Sequence, residues 1–131
     1  MDKILKLLKN KEKTIIAIIG ATDNEEKYGF IVFKNLKDKG YNVFPLNLEE
    51  KVILGQQSYS SLSLLPKKPD IIVLIIPPKA GIEVMLEAKK LDLDNLWFQP
   101  GASDKDSDLK AKDLGFNFIS KECIMKITDK I

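Results

Sequence analysis

The sequence predicts a three-layer α/β domain built on a five-stranded, mainly parallel sheet. Short apolar runs alternate with amphipathic segments along the 131 residues, and this alternation is typical of a parallel sheet with helices on both faces. Two of the apolar runs are almost free of polar residues, as expected of strands that are buried on both sides. Right-handed crossovers would bring the carboxyl ends of these strands to one edge, where such sheets bind their ligands.

The strands are placed by their β-branched and aromatic residues. We expect them at residues 15–19, 42–46, 71–76, 96–98 and 116–119. Between them, apolar residues recur at helical spacing and predict helices at residues 29–39, 79–91 and 104–114. Gly40 and Gly115 follow two of these helices, in the position where glycine commonly ends a helix.

The remaining segments are less regular. Residues 1–12 predict a short amphipathic helix that packs on its own domain, since lysines interrupt the apolar residues too often for a signal peptide. Residues 48–66 carry Gly55 and Pro66 and are expected to hold only a short strand or turn. The sequence contains no repeat or low-complexity tract, so residues 1–131 are expected to form a single domain.

The composition narrows the possible functions. All 21 basic residues are lysine and nearly balance the 19 acidic ones, so a nucleic-acid surface is not expected. Without arginine, a phosphate group would be held by backbone N–H groups, hydroxyls and lysine. No apolar run approaches the roughly 20 residues of a transmembrane helix. The one cysteine, Cys123, has no partner for an internal disulfide, and we expect a cytoplasmic protein that binds no membrane.

The candidate ligand site lies after the first strand. The apolar run ends in Gly20, Ala21 and Thr22, and Gly29 opens the first long predicted helix. Glycine lets the backbone approach a ligand, and the free N–H groups and dipole of a helix N-terminus favour phosphate. The pattern therefore predicts a phosphate-bearing ligand here. Two plainer roles remain open, a turn at Gly20 and an N-cap at Thr22.

Several motifs for such ligands are absent from the sequence. The G-x-G-x-x-G fingerprint is missing, and Asn47 stands where an acidic residue would bind the ribose of NAD. Glu49 and Glu50 lie close enough to keep an NAD-linked oxidoreductase as an alternative. The sequence has no Walker loop, no histidine and no metal-ligand spacing. We therefore expect no catalytic residue and no metal site.

A set of short motifs follows in order between residues 14 and 125. They are Ile18-Ile19-Gly20-Ala21-Thr22, Lys27-Tyr28-Gly29, Gly40-Tyr41-Asn42-Val43-Phe44-Pro45-Leu46-Asn47, Ile53-Leu54-Gly55, Tyr59-Ser60-Ser61-Leu62, the proline-bounded region 66–78, and Trp97-Phe98-Gln99-Pro100-Gly101-Ala102. In this order they resemble the small bacterial CoA-binding protein family, which is related to the N-terminal CoA-binding domain of the succinyl-CoA synthetase alpha subunit. The tryptophan-glutamine-glycine element makes the resemblance specific.

The resemblance implies a Rossmann-like domain that binds CoA or an acyl-CoA. It places the CoA diphosphate near the glycine loop and the adenosine end near the close of the second strand. The implied cofactor-binding residues are Gly20, Ala21, Thr22, Lys27, Gly29, Pro45, Asn47, Pro77, Gln99 and Gly101. Two positions depart from the family pattern, because Thr22 replaces a serine and Leu48 replaces a proline.

The resemblance favours non-catalytic binding of CoA or an acyl-CoA. The phosphorylated histidine of the synthetase belongs to a second domain, and this chain has no histidine, so ligase activity by this sequence alone is not expected. The alternatives are a subunit of an acyl-CoA ligase, an NAD-linked oxidoreductase, and a regulatory interaction module with a vestigial pocket. The sequence identifies neither a protein partner nor the acyl group.

Two roles are expected for Cys123, which follows the fifth strand. It is either a small buried hydrophobic residue or a thiol near the pantetheine end of the ligand. In the second case it would exchange with CoA disulfide to form a mixed disulfide.

Overall fold

The computed structural model describes residues 2–131 and confirms the α/β architecture. In chain order the elements are α1 (Asp2–Lys9), β1 (Ile15–Ile19), α2 (Tyr28–Asp38), β2 (Asn42–Leu46), β3 (Val52–Ile53), β4 (Gln56–Gln57), a 3-10 turn (Leu62–Leu64), β5 (Ile71–Leu74), α3 (Pro78–Lys90), β6 (Asn95–Phe98), α4 (Lys105–Asp113), β7 (Asn117–Ile119) and α5 (Ile124–Thr128).

The main sheet has five parallel strands in the order β2-β1-β5-β6-β7. Ile18 in the central strand β1 lies beside Pro45 of β2 on one side and beside Val73 of β5 on the other. From β1 the chain crosses first to β2 and later to β5, so the strand order reverses between β1 and β5. In sheets of this kind the ligand crevice lies at that reversal, outside the carboxyl ends of the strands.

Helices cover both faces of the sheet, which gives the three predicted layers. Successive side chains of a strand point to opposite faces. On one face, Ile18 and Trp97 pack with α1, α2 and α5. On the other face, Ala17 and Leu74 pack with α3, α4 and the 3-10 turn. Strands β5 and β6 are buried along their whole length, and for β5 this was predicted from its apolar sequence.

The segment 48–66 contains slightly more structure than predicted. Strands β3 and β4 form an antiparallel hairpin, and the 3-10 turn follows. The hairpin is closed by Leu54 and Gly55, both with positive φ angles of 48° and 73°. Two residues with positive φ are what a tight two-residue hairpin turn requires.

Some boundaries differ from those predicted. The third main strand was expected to reach residue 76 but ends at Leu74, because the chain turns toward Pro77 and Pro78, which have no N–H for the sheet. The N-terminal helix ends at Lys9 rather than residue 12, and Met1 lies outside the described residues. Helix α5 was not predicted, since five residues are too few to show a helical period.

Candidate ligand-binding site

Gly20 lies at the end of β1 and is held in a conformation that favours glycine, with φ at +97°. A Cβ atom there would stand 2.5 Å from the carbonyl oxygen of Ile75 and 3.0 Å from a methyl carbon of Ile76. The glycine is therefore required by the close approach of the segment that follows β5. This structural role holds whether or not a ligand is bound.

Gly29 lies in the first turn of α2 and packs directly on the same loop. A Cβ at this position would strike the carbonyl oxygen of Gly20. Gly29 is buried, so the structure places its α-carbon against the protein backbone. The two glycines allow the N-terminus of α2 to approach the end of β1.

The loop between β1 and α2 is buried at its start and exposed afterwards. Ala21 and Thr22 are buried, whereas residues 23–28 are exposed. Thr22 Oγ1 accepts a hydrogen bond from the backbone N–H of Asn24 at 3.2 Å. The N-cap residue of α2 is Lys27, without a side-chain capping bond, so the interpretation of Thr22 as the helix N-cap is wrong. Helix α2 thus presents N–H groups that no capping side chain occupies.

Asn47 and Glu50 brace this loop. The Asn47 amide donates to the carbonyl oxygen of Ala21 at 2.8 Å and to Glu50 Oε2 at 2.9 Å. Glu50 Oε1 accepts from the backbone N–H of Asp23 at 2.9 Å. The Oδ1 atom of Asn47 accepts hydrogen bonds from the backbone N–H groups of Glu49 and Glu50. The residue at the end of β2 therefore holds the glycine loop through its own amide.

Pro45 is buried in β2, where its carbonyl oxygen accepts from the N–H of Tyr59 at 3.0 Å. Leu48, which stands where the family pattern has proline, is 85% exposed. The end of β2 thus offers an exposed apolar side chain next to the loop brace.

A cavity of about 310 Å³, here called the crevice, opens at the carboxyl ends of β5 and β6. It brings together three predicted site residues, Pro77, Gln99 and Gly101. Its lining residues are Ile75, Ile76, Pro77, Pro78, Gln99, Pro100, Gly101 and Ala102. The crevice adjoins the glycine loop, because Ile75 and Ile76 also contact Gly20.

Gln99 is 1% exposed and uses its side chain to join three elements. Its Oε1 accepts from the N–H of Ile124 at the start of α5, at 2.7 Å. Its Nε2 donates to the hydroxyl of Tyr28 at the start of α2, at 3.0 Å. The sequence alone does not reveal this bridging role, which depends on contacts between residues 25 and 71 positions apart. Its neighbour Trp97 is fully buried and belongs to the core.

Cys123 is only partly buried, so the interpretation as a core residue is wrong. Its Sγ lies 3.2 Å from the Tyr28 hydroxyl and 3.5 Å from Gln99 Nε2. Burial raises the pKa of the thiol, but hydrogen bonds from Tyr28, Gln99 and the backbone N–H groups of Lys126 and Met125 outweigh burial and lower it. Burial and the neighbouring thiol raise the pKa of Tyr28 to about 12.

Two kinds of feature are absent from residues 2–131. No three His, Cys, Asp or Glu side chains in this part of the chain are grouped to hold a metal ion. In the same residues, no helix combines the length and apolar character needed to cross a membrane.

Comparison with known proteins identifies the family. The family model described as a CoA binding domain matches residues 14–129. The alpha subunit of ADP-forming acetate–CoA ligase II from Pyrococcus furiosus is 36% identical over 73 residues, which are 55% of this chain and 16% of that subunit. The chain thus spans a small part of that relative. The uncharacterised protein YneT of Bacillus subtilis is 27% identical over 83% of this chain and 81% of its own.

A solved structure agrees with these sequence matches. A conserved hypothetical protein from Pyrococcus furiosus has a TM-score of 0.82 and 39% identity, over 86% of this chain and 97% of its own. The relatives come from Pyrococcus as well as Bacillus, so the expected restriction to bacteria is not supported. The chain has the Rossmann-like fold and belongs to the family of CoA-binding domains.

Proposed function

We propose that this chain binds CoA or an acyl-CoA non-covalently, at the carboxyl edge of the sheet between the glycine loop and the crevice. The observation that carries the proposal is the uncapped N-terminus of α2, packed on Gly20 where the strand order reverses, in a member of the CoA-binding domain family. Backbone N–H groups at such a terminus suit a diphosphate.

The phosphate subsite would rely on the backbone more than on side-chain charge. The first turn of α2 contains no acidic residue to compete with an anion. Lys27 supplies one exposed ammonium group at the helix start, but Glu25 and Glu26 precede it in the same exposed loop. Because these charges oppose one another, we propose that backbone N–H groups with no partner among residues 2–131 hold the diphosphate. In residues 20–29 these are the N–H groups of Ala21, Thr22, Glu25, Tyr28 and Gly29.

The remaining parts of the ligand would lie on either side of the loop. The adenosine end would lie near Pro45, Asn47 and the exposed Leu48, and the pantetheine arm would pass along Pro77 and Gly101. This direction follows the sheet from β2 across β1 to β5 and β6.

The arrangement disfavours NAD as the ligand. A carboxylate that binds ribose hydroxyls must have free oxygen atoms facing the nucleoside. Both oxygens of Glu50 already accept hydrogen bonds within the protein, and Asn47 is engaged in the loop brace. The Asn47 and Glu50 side chains are therefore already used to order the glycine loop.

A second candidate function is the CoA-binding module of an acyl-CoA ligase. It is favoured by the match to the alpha subunit of an ADP-forming acetate–CoA ligase. In that case another protein would supply the catalytic groups, and co-purification with a ligase subunit would support the assignment.

Calorimetric titration and thermal unfolding with CoA and NADH test the proposal. We expect CoA to bind and to raise the melting temperature, because a ligand that binds only the folded state stabilises it. NADH is expected to leave the melting temperature unchanged. Equal shifts with both ligands, or a shift with NADH alone, would contradict CoA binding.

A further inference from the structure

A larger cavity, here called the α4 cavity, lies beside the crevice. Its volume is about 610 Å³, and it shares Pro100 and Gly101 with the crevice. The lining residues are Pro100, Gly101, Ser103, Asp104, Lys105, Asp108, Leu109, Lys112, Phe118 and Lys121. Its size falls within the range of small-molecule sites. The two cavities are therefore adjacent at the carboxyl end of β6.

The lining of the α4 cavity contains an apolar wall. Leu109 on α4 is 51% exposed, and it lines the cavity together with Phe118 and Pro100. A single exposed leucine needs no explanation by itself. Three apolar side chains around one concave space, however, provide a surface that a hydrocarbon group can cover.

One lining residue of this cavity has an unusual backbone conformation. Lys121 has a φ angle of +70°, which residues other than glycine rarely adopt. Strained backbone of this kind is concentrated at ligand sites.

The position of the cavity relates it to the proposed CoA site. Along the sheet, β1 is followed by β5, β6 and β7, so three strand spacings of roughly 4.8 Å separate the glycine loop from the end of β7. An extended pantetheine arm can cover this distance of roughly 14 Å. The adenosine end would point the other way, toward β2. The thiol end would therefore reach the α4 cavity.

We propose that the α4 cavity binds the acyl group of an acyl-CoA, with the hydrocarbon chain against Leu109 and Phe118. The inference rests on the proposed function, since CoA must first occupy the crevice. It assigns the ligand class as acyl thioesters with a chain of several carbons, in preference to free CoA.

Calorimetric titration with CoA, acetyl-CoA, butyryl-CoA and hexanoyl-CoA tests this assignment. Each methylene that enters the apolar wall should tighten binding by about two- to fourfold. The dissociation constant should therefore fall steadily from acetyl-CoA to hexanoyl-CoA. Affinity that is the same for CoA and all three thioesters would overturn the proposal while leaving CoA binding intact.

A matched pair of variants locates the acyl group. Leu109→Ser removes one of the three apolar side chains of the wall and should weaken hexanoyl-CoA binding about tenfold. Leu86→Ser changes a leucine of similar exposure, 43%, on α3 outside the cavity, and should leave the whole series unchanged. Thermal unfolding checks that both variants are folded. A chain-length dependence that survives Leu109→Ser would overturn the cavity assignment. Wild-type protein that binds none of the four ligands would overturn the proposed function, and this proposal with it.

Discussion

Cys123 has neighbours that its position in the sequence does not reveal. Tyr28, 95 residues away, lies 3.2 Å from the thiol, and Gln99 lies on the same side. These donors stabilise the thiolate and lower the pKa of Cys123 against the opposing effect of burial. Since the thiolate is the nucleophile, a larger fraction of this residue is reactive at neutral pH than in an unperturbed cysteine.

Alkylation by iodoacetamide across a pH series measures this effect. We expect the midpoint for Cys123 to lie below that of an unperturbed cysteine, because its pKa is lowered. Tyr28→Phe removes a donor, so the pKa and the midpoint should rise. Tyr59→Phe is the control, because Tyr59 packs against Phe44 at the other edge of the sheet. A midpoint that Tyr28→Phe leaves unchanged would contradict this account.

Exchange of the thiol with CoA disulfide stays a prediction that intact-mass measurement can test. Attack of the Cys123 thiolate on the disulfide would form a protein–CoA mixed disulfide and release one CoA thiolate. The adduct should disappear with reductant and be absent from Cys123→Ser. A folded protein that gains no CoA mass would argue against it.

At the scale of elements, the sequence was sufficient to predict the layers and most of the sheet. Apolar runs such as Ile15–Ile19 stand out because strands covered on both faces have no polar side. The hydrogen bonds by which Asn47 and Glu50 brace the glycine loop were not predictable. They reach residues 26 and 27 positions earlier in the sequence. The packing of Gly29 on Gly20 was also hidden, since a sequence shows a glycine but not what its missing side chain would strike.

The contact between α2 and the glycine loop leads to a stability prediction. Gly29→Ala should lower the free energy of unfolding by about 1–3 kcal/mol, because the new methyl group overlaps the Gly20 carbonyl oxygen. Gly81→Ala on α3 is the control, since its Cβ would meet no atom within 4 Å. That change should stabilise the protein by up to about 1 kcal/mol through helix propensity. Urea unfolding measures the free energy of unfolding of both variants. Equal values for Gly29→Ala and Gly81→Ala would contradict the close packing of Gly29 on Gly20.

At the scale of the whole molecule, the strand order determines where a ligand can bind. The end of β1 meets β2 on one side and β5 on the other, and the loop brace spans the first of these boundaries. The crevice lies beyond the second. The proposed site therefore depends on both halves of the sheet, with the glycine loop between them.

Replacing Asn47 should weaken ligand binding, because its side chain braces the glycine loop and lies near the proposed adenosine end. In Asn47→Ala the loop loses its bond to Ala21, and we expect CoA affinity to fall about five- to tenfold, roughly 1–1.4 kcal/mol. Asn42→Ala is the control, because Asn42 is exposed and its amide donates to Glu12 instead. Calorimetry compares the two variants. Unchanged affinity in Asn47→Ala would show that the loop is ordered without the brace.

The backbone N–H of Ile124 donates a hydrogen bond to Gln99, which lines the crevice. Hydrogen exchange at this one amide of the C-terminal region therefore depends on a crevice residue. Local opening of α5 alone does not expose this proton to exchange, because its hydrogen bond to Gln99 must also break. Filling the crevice with CoA would restrain Gln99, so hydrogen exchange at Ile124 should slow more than at Thr128, which is also buried in the same helix. The exchange rate of this single amide would then report what fraction of the protein has CoA bound, without any chemical modification of the protein.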